Sequence, residues 1–125
     1  MREAGLEQVV HLLGFVPDDD LPAIYTMADV LAFPTLYEGF GIPIIEAFAR
    51  STPVVTGDNS SLREAGGTAA LYVDAKDVDA IAAAMVRAVT DVDWRAWARE
   101  AGLIHAARFS WENAARALLA AYQAA

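Results

Sequence analysis

The chain has 125 residues, 56% of them hydrophobic and 21% charged, a balance that can build one domain core and does not belong to a disordered tail. Nine Lys and Arg against 17 Asp and Glu give a formal net charge of −8, which argues against duplex nucleic acid as a partner, because such binding neutralises phosphates with a basic face. Cysteine is absent, so disulfides and thiolate metal sites are excluded.

In chain order, the N-terminal MREAGLEQ has no apolar signal-peptide core, and no uncharged stretch approaches the ~20 residues of a membrane span. A cytoplasmic protein is the simple reading. Val9 to Leu13 reads as a strand ended by Gly14. Asp20-Leu21-Pro22 marks a helix start, since Pro is tolerated in the first turn, and the helix runs to about Met27. Val30 to Phe33 is a second strand, stopped by Pro34. A loop from Thr35 to Gly41 leads into a helix from Pro43 to Arg50. Pro53 to Thr56 and Ala70 to Val73 complete the strands. Beyond them Asp77 is an N-cap candidate for a helix with Val78, Ile81, Met85 and Val89 on one face. Asp93 is a cap candidate for a second helix with Trp94, Trp97, Ala101 and Ile104 on its face, and Ser110 for a last one reaching about Gln123. Short strands alternating with helices predict an α/β fold, a parallel sheet covered by helices, in one domain over residues 1–125. The many alanines suggest helices packed closely on their neighbours.

The loop EGFGIPIIE, residues 38–46, carries the candidate chemistry. In open parallel sheets ligands bind beyond the carboxyl ends of the strands, where helix N-termini point. Gly39 and Gly41 permit positive φ and close backbone approach. The following helix turns unpaired N–H groups and its positive dipole end toward the loop, which suits a phosphate. Glu38 and Glu46 accept hydrogen bonds from hydroxyls, so a diphosphate flanked by two polyols would use every part. Such loops also occur as plain strand-to-helix turns, and spacing alone leaves both readings open. Glu46 adds weight, because a carboxylate among apolar neighbours needs a partner if it is buried.

FPTLYEGFGIPIIEAFARSTPVV resembles the signature of the retaining GT-B glycosyltransferases of family 4, the glycosyl transferases group 1, whose E-x7-E motif matches Glu38 and Glu46. VHLLGFVPDDDLPAIYTMADV, TPVVTGDNSSLREAGGTAALYVD and ARFSWENAA extend the resemblance along most of the chain. It implies a Rossmann-like C-terminal domain that binds a nucleotide-diphosphate sugar and transfers the sugar with retention, without a metal or other cofactor. By that resemblance Glu38 is the catalytic-motif residue that contacts the transferred sugar, and Glu46 holds the donor ribose. Gly39, Phe40, Gly41 and Ile42 line the sugar-diphosphate pocket, chiefly through backbone. Gly14, Phe15, Val16 and Asp18 match the place of the nucleotide base. The segment Asn59 to Glu64 matches a loop after a strand, with Arg63 where relatives often carry Pro. Arg50-Ser51 stands where relatives carry a small residue and glycine.

The resemblance also implies that the first two strand-helix units, with the basic pair that neutralises the diphosphate, and the N-terminal acceptor domain lie outside this chain. The isolated chain is then expected to be inactive. With a family sheet order of 3-2-1-4-5-6, Val9–Leu13 would be the third strand without its neighbour, and Val30–Phe33 an exposed apolar edge. That predicts a homo-oligomer, a strand swap, or Val9–Leu13 moved beside Val30–Phe33. A stand-alone nucleotide-sugar-binding module and a structural fragment without a working pocket are the alternatives. His11 and His105 have no companion ligands, Asp18-Asp19-Asp20 reads as a solvated turn with a helix cap, and the arginines Arg50 and Arg63 read as surface residues. Trp94, Trp97 and Trp111 are expected to pack on the sheet, with one left exposed.

Overall fold

The computed structural model describes residues 4–124. Three strands, β1 (Leu31–Phe33), β2 (Val54–Gly57) and β3 (Leu71–Val73), form a parallel sheet in the order β1-β2-β3. Leu31 lies opposite Val54, and Val55 opposite Leu71. Six helices accompany them: α1 (Leu21–Met27), α2 (Ile42–Ala49), α3 (Ser60–Gly66), α4 (Val78–Thr90), α5 (Val92–Ala106) and α6 (Trp111–Ala124). The predicted α/β class is the observed one. Among the described residues no helix is long and apolar enough to cross a membrane.

Strand β2 is buried along its whole length because helices cover both faces of the sheet. Its side chains alternate between two cores. Val54 joins Ile44, Ala47, Phe48, Leu62 and Ala65 on one side, and Val55 joins Val73 and Ala88 on the other. Helices α2 and α3 supply the first core and α4 the second. Helix α5 serves both, with Ala106 in the first and Trp94 packed on the second.

The faces predicted for α4 and α5 need correction. Val78 is 75% exposed and Ile104 66%, whereas Ala88 of α4 and Ala98, Gly102 and Ala106 of α5 are buried. Small residues one turn apart let the helix backbones approach, and the bulky residues are left at the margins. In α5 an Ala/Gly repeat was therefore the informative signal; of the predicted faces, Ile81, Trp94 and Ala101 do pack on the cores. Trp94 packs as expected, but both Trp97 and Trp111 are exposed, at 48% and 92%. The cap of α5 is Asp91, whose carboxylate accepts from the Trp94 N–H at 2.9 Å. Asp93 sits inside the first turn, where its charge complements the helix dipole. Asp77 and Ser110 cap as predicted, accepting from Ala80 N–H at 2.9 Å and Asn113 N–H at 3.1 Å. Asp20 precedes α1 but makes no side-chain cap bond.

Val9–Leu13 forms no strand and does not pair with β1. Val9, Leu12 and Leu13 are 71%, 83% and 63% exposed, and the Val9 and Val10 N–H groups turn back to the Leu6 carbonyl. A strand is held by its ladder, and this segment finds no partner strand among the described residues.

Phe48 and Gly102 lock α2 to α5. A Cβ on Gly102 would fall 2.5 Å from the Cδ1 of Phe48, which is itself 0% exposed. Gly102→Ala would gain about 1 kcal/mol of helix propensity. Overpacking a core costs roughly 1–3 kcal/mol, and the Phe48 ring has no free space to retreat into. Gly102→Ala is therefore expected to lower unfolding stability by about 1 kcal/mol in urea denaturation, and an increase would show that the ring swings aside.

Candidate functional site

The loop between β1 and α2 is stitched down at both ends. Thr35 donates through its hydroxyl to the Tyr37 carbonyl at 3.0 Å, and Ser61 of α3 donates to the Glu38 carbonyl at 2.8 Å. Ser61 Oγ also lies 3.0 Å from Asn59 Oδ1, the atom that caps α3 by accepting from Leu62 N–H at 3.2 Å. The Glu38 carboxylate folds back to accept from Gly39 N–H at 3.1 Å.

The two loop glycines differ. Gly41 is the N-cap of α2 with φ at 99°, a left-handed conformation that disfavours any side chain. A Cβ there would also lie 3.0 Å from Leu62 Cδ2. Gly39, expected to share the positive φ, does not have it, but a Cβ on it would meet no protein atom within 4 Å. Its backbone therefore borders open space. Phe40 presents only its backbone to the loop, since its ring packs edge-on against Phe109 at 5.6 Å. Phe109 in turn meets His105 at 5.2 Å, which places His105 in an aromatic cluster. Ile42 opens α2 and is 61% exposed.

Glu46 lies further along α2 on the wall of a cavity of about 340 Å³, with Asp18, Leu21, Pro22, Tyr25, Ala49 and Arg50. Its Oε2 accepts from the Tyr25 hydroxyl at 3.1 Å. Burial first, then that hydrogen bond and the negative charge of Glu46, push the Tyr25 phenol up to about 12. Of the residues predicted to meet a nucleotide base, Asp18 shares this cavity. Gly14, Phe15 and Val16 do not line it, and Phe15 is 90% exposed. Glu38 is also outside it.

A second cleft of about 400 Å³ lies past the carboxyl ends of all three strands, lined by Thr35, Leu36, Asp58, Asn59, Asp74 and Ala75. Asp58 and Asp74 were not singled out in the sequence. The available signal was position, each being the first residue after a strand. Arg63 is not a free cation here. It grips Asp58 in two bonds, Nε to Oδ1 at 2.5 Å and Nη2 to Oδ2 at 2.8 Å, with its guanidinium 4.7 Å above the Tyr72 ring centre. The pair holds the Asp58 carboxyl below the usual range. Ser51 has φ of 57°, a left-handed conformation that suits glycine better than a residue with a side chain.

Residues 1–91 match the family Glycosyl transferases group 1. The chain belongs to that family. It is 44% identical to O-antigen chain mannosyltransferase B of Escherichia coli over 114 residues, covering 91% of this chain and 30% of that protein. It is 39% identical over 124 residues to a D-inositol 3-phosphate glycosyltransferase of Corynebacterium urealyticum, covering 98% of this chain and 29% of that one. In structure it matches sucrose-phosphate synthase from Thermosynechococcus elongatus with a TM-score of 0.88 at 30% identity, over 98% of this chain and 31% of that chain. The fold is thus that of part of a GT-B glycosyltransferase domain, and the chain spans about 30% of the length of these relatives.

The raised Tyr25 value has a defined sign. A folded state that holds the phenol proton more tightly than the unfolded chain gains stability that is complete below the ordinary value of 10.0, and that gain is lost as pH rises through about 12. Titration of phenolate absorbance is expected to show a late component that Tyr25→Phe removes, together with part of the alkaline loss of stability. An unchanged titration in the variant would contradict this assignment.

Proposed function

We propose that this chain is the donor-binding part of a retaining glycosyltransferase that takes a nucleotide-diphosphate sugar and passes a hexosyl group to an acceptor. The observation that carries it is the seat of Glu46, an acceptor-only carboxylate held at a cavity wall in the first turns of a helix whose N-terminus faces a glycine loop. A ribose diol offers the two hydroxyl donors that such a carboxylate takes. Glu46 is five positions beyond Gly41, about 7–8 Å along the helix axis, a spacing that lets the diphosphate rest at the helix N-terminus while the ribose reaches Glu46.

The remaining roles follow the same line. The backbone of Gly39, Phe40 and Gly41, with Ile42 at the helix start, borders the sugar-diphosphate, and open space at Gly39 leaves room for it. Glu38 accepts from hydroxyls of the transferred sugar and positions it; neither glutamate acts as a nucleophile. Asp18 stands on the base side of Glu46, with Gly14, Phe15 and Val16 leading to it. Departure of the nucleoside diphosphate and attack of the acceptor hydroxyl occur on one face of the sugar, which retains the anomeric configuration. Charge developing on the leaving group is met by the α2 dipole, and no metal is invoked. The acceptor is held by a separate acceptor domain. The mannosyl transfer named for the Escherichia coli relative makes mannose a reasonable first sugar to test.

Thermal unfolding with UDP, GDP and ADP tests the reading. At 100 times its Kd one of them is expected to stabilise the chain by about 2.7 kcal/mol, and Glu46→Ala to abolish the response. Gly39→Ala, whose Cβ meets no protein atom within 4 Å, is expected to keep its midpoint without ligand and lose much of the shift with it. No shift with any nucleotide, or equal shifts in Glu46→Ala, would overturn the assignment.

A further inference from the structure

Helix α1 lies against α2, and Tyr25 tethers the two from both its main chain and its side chain. Its carbonyl accepts from the hydroxyl of Thr52 at 2.6 Å. Thr52 is 1% exposed, and its own N–H donates to the Ala47 carbonyl near the end of α2 at 2.9 Å. The tyrosine ring packs against the core containing Phe48 and Ile44. From this anchored ring the hydroxyl reaches Glu46 Oε2 at 3.1 Å, across the cavity that both residues line. Glutamate has three side-chain torsions, and an exposed one samples many rotamers in water. A fixed phenolic donor on one oxygen removes that freedom and leaves the remaining lone pairs aimed along a constant direction. Each carboxylate oxygen can accept more than one hydrogen bond, so the phenol and a ligand hydroxyl can share Oε2.

We infer that Tyr25 is a positioning residue for ligand hydroxyls. Its hydroxyl, held on a half-buried ring packed against the core, fixes the Glu46 carboxylate so that the pair of ribose hydroxyls of a nucleoside diphosphate meets a preset acceptor. The inference rests on the proposed donor-binding role of Glu46. It assigns discrimination between a ribose and a sugar lacking those hydroxyls to two residues on different helices, one of them outside the E-x7-E loop.

The readout is a ratio of affinities, which a merely structural tyrosine would not move. Binding of UDP, GDP and ADP is compared with that of their 2′,3′-dideoxy forms by calorimetry, in the wild-type chain, Tyr25→Phe and Glu46→Gln. Phenylalanine removes only the hydroxyl; the ring packing and the Thr52 bond to the Tyr25 carbonyl remain, so the variant keeps its fold, checked by circular dichroism. Wild type is expected to prefer the ribose form by about tenfold or more, the scale of a charge-assisted hydrogen bond. In Tyr25→Phe the preference is expected to fall to roughly threefold, with affinity for the dideoxy form unchanged. A preference that survives in Tyr25→Phe but vanishes in Glu46→Gln would overturn the positioning role alone. Tighter ribose binding in Tyr25→Phe would show that the phenol competes for the carboxylate, and would overturn it too. Absence of any preference in the wild type would sink the donor-binding reading of Glu46 and this inference with it.

Discussion

The position of α2 depends on one close contact, the face of Phe48 against the bare Cα of Gly102. Phe48, Ile44 and Ala47 are all 0% exposed, so α2 is clamped between β2 on one side and α5 on the other. Dense interiors transmit such constraints with little slack. Everything functional on this helix inherits the clamp. Gly41 at its start and Glu46 further along are carried by a rigid rod whose other face is core.

Around that rod the surrounding elements each fix one approach to the site. Ser61 of α3 holds the Glu38 carbonyl, and Thr52 holds the Tyr25 carbonyl, so the flanking loop and helix are tied to the same framework. The aromatic cluster of Phe40, Phe109 and His105 takes the Phe40 ring away from the loop and leaves its backbone on the open side. The result is a helix N-terminus preceded by glycine backbone, with Glu38 in the loop before it and Glu46 further along the helix. Such an arrangement suits a ligand that alternates hydroxyls and anionic oxygens better than one that is uniformly charged.

Part of the acidity of the chain is taken up within the fold. Asp58 is engaged by Arg63, and Asp91 and Asp77 are engaged at helix caps. Glu38 lies in the loop before α2 and Asp18 lines the Glu46 cavity, while the α2 N-terminus carries about half a positive charge by its dipole. The dipole offsets only part of the charge of these carboxylates, so the region shares the sign of the net charge of −8.

Much of this was legible in the chain itself. The run Pro53 to Thr56 signalled a strand, and a residue such as Asp77 before an apolar period signalled a cap, because these are local effects of side-chain and backbone chemistry. The glycine turn into α2 was legible for the same reason, since a left-handed Gly41 and a helix start are short-range features, whereas spacing alone left the use of the loop open. What the sequence could not settle was pairing across distance. Val9–Leu13 had the composition of a strand, yet a ladder needs a neighbour, and composition carries no information on whether one is adjacent. Close approach of Ala and Gly backbones set the buried stripe of α5, so of the large apolar residues predicted for α4 and α5 some, such as Ile81 and Trp94, pack on the core while Val78 and Ile104 stay exposed. The bond from Tyr25 to Glu46 joins two helices with no shared local pattern. Only the packing of α1 on α2, with Tyr25 against the first core and its carbonyl held by Thr52, brings them within reach.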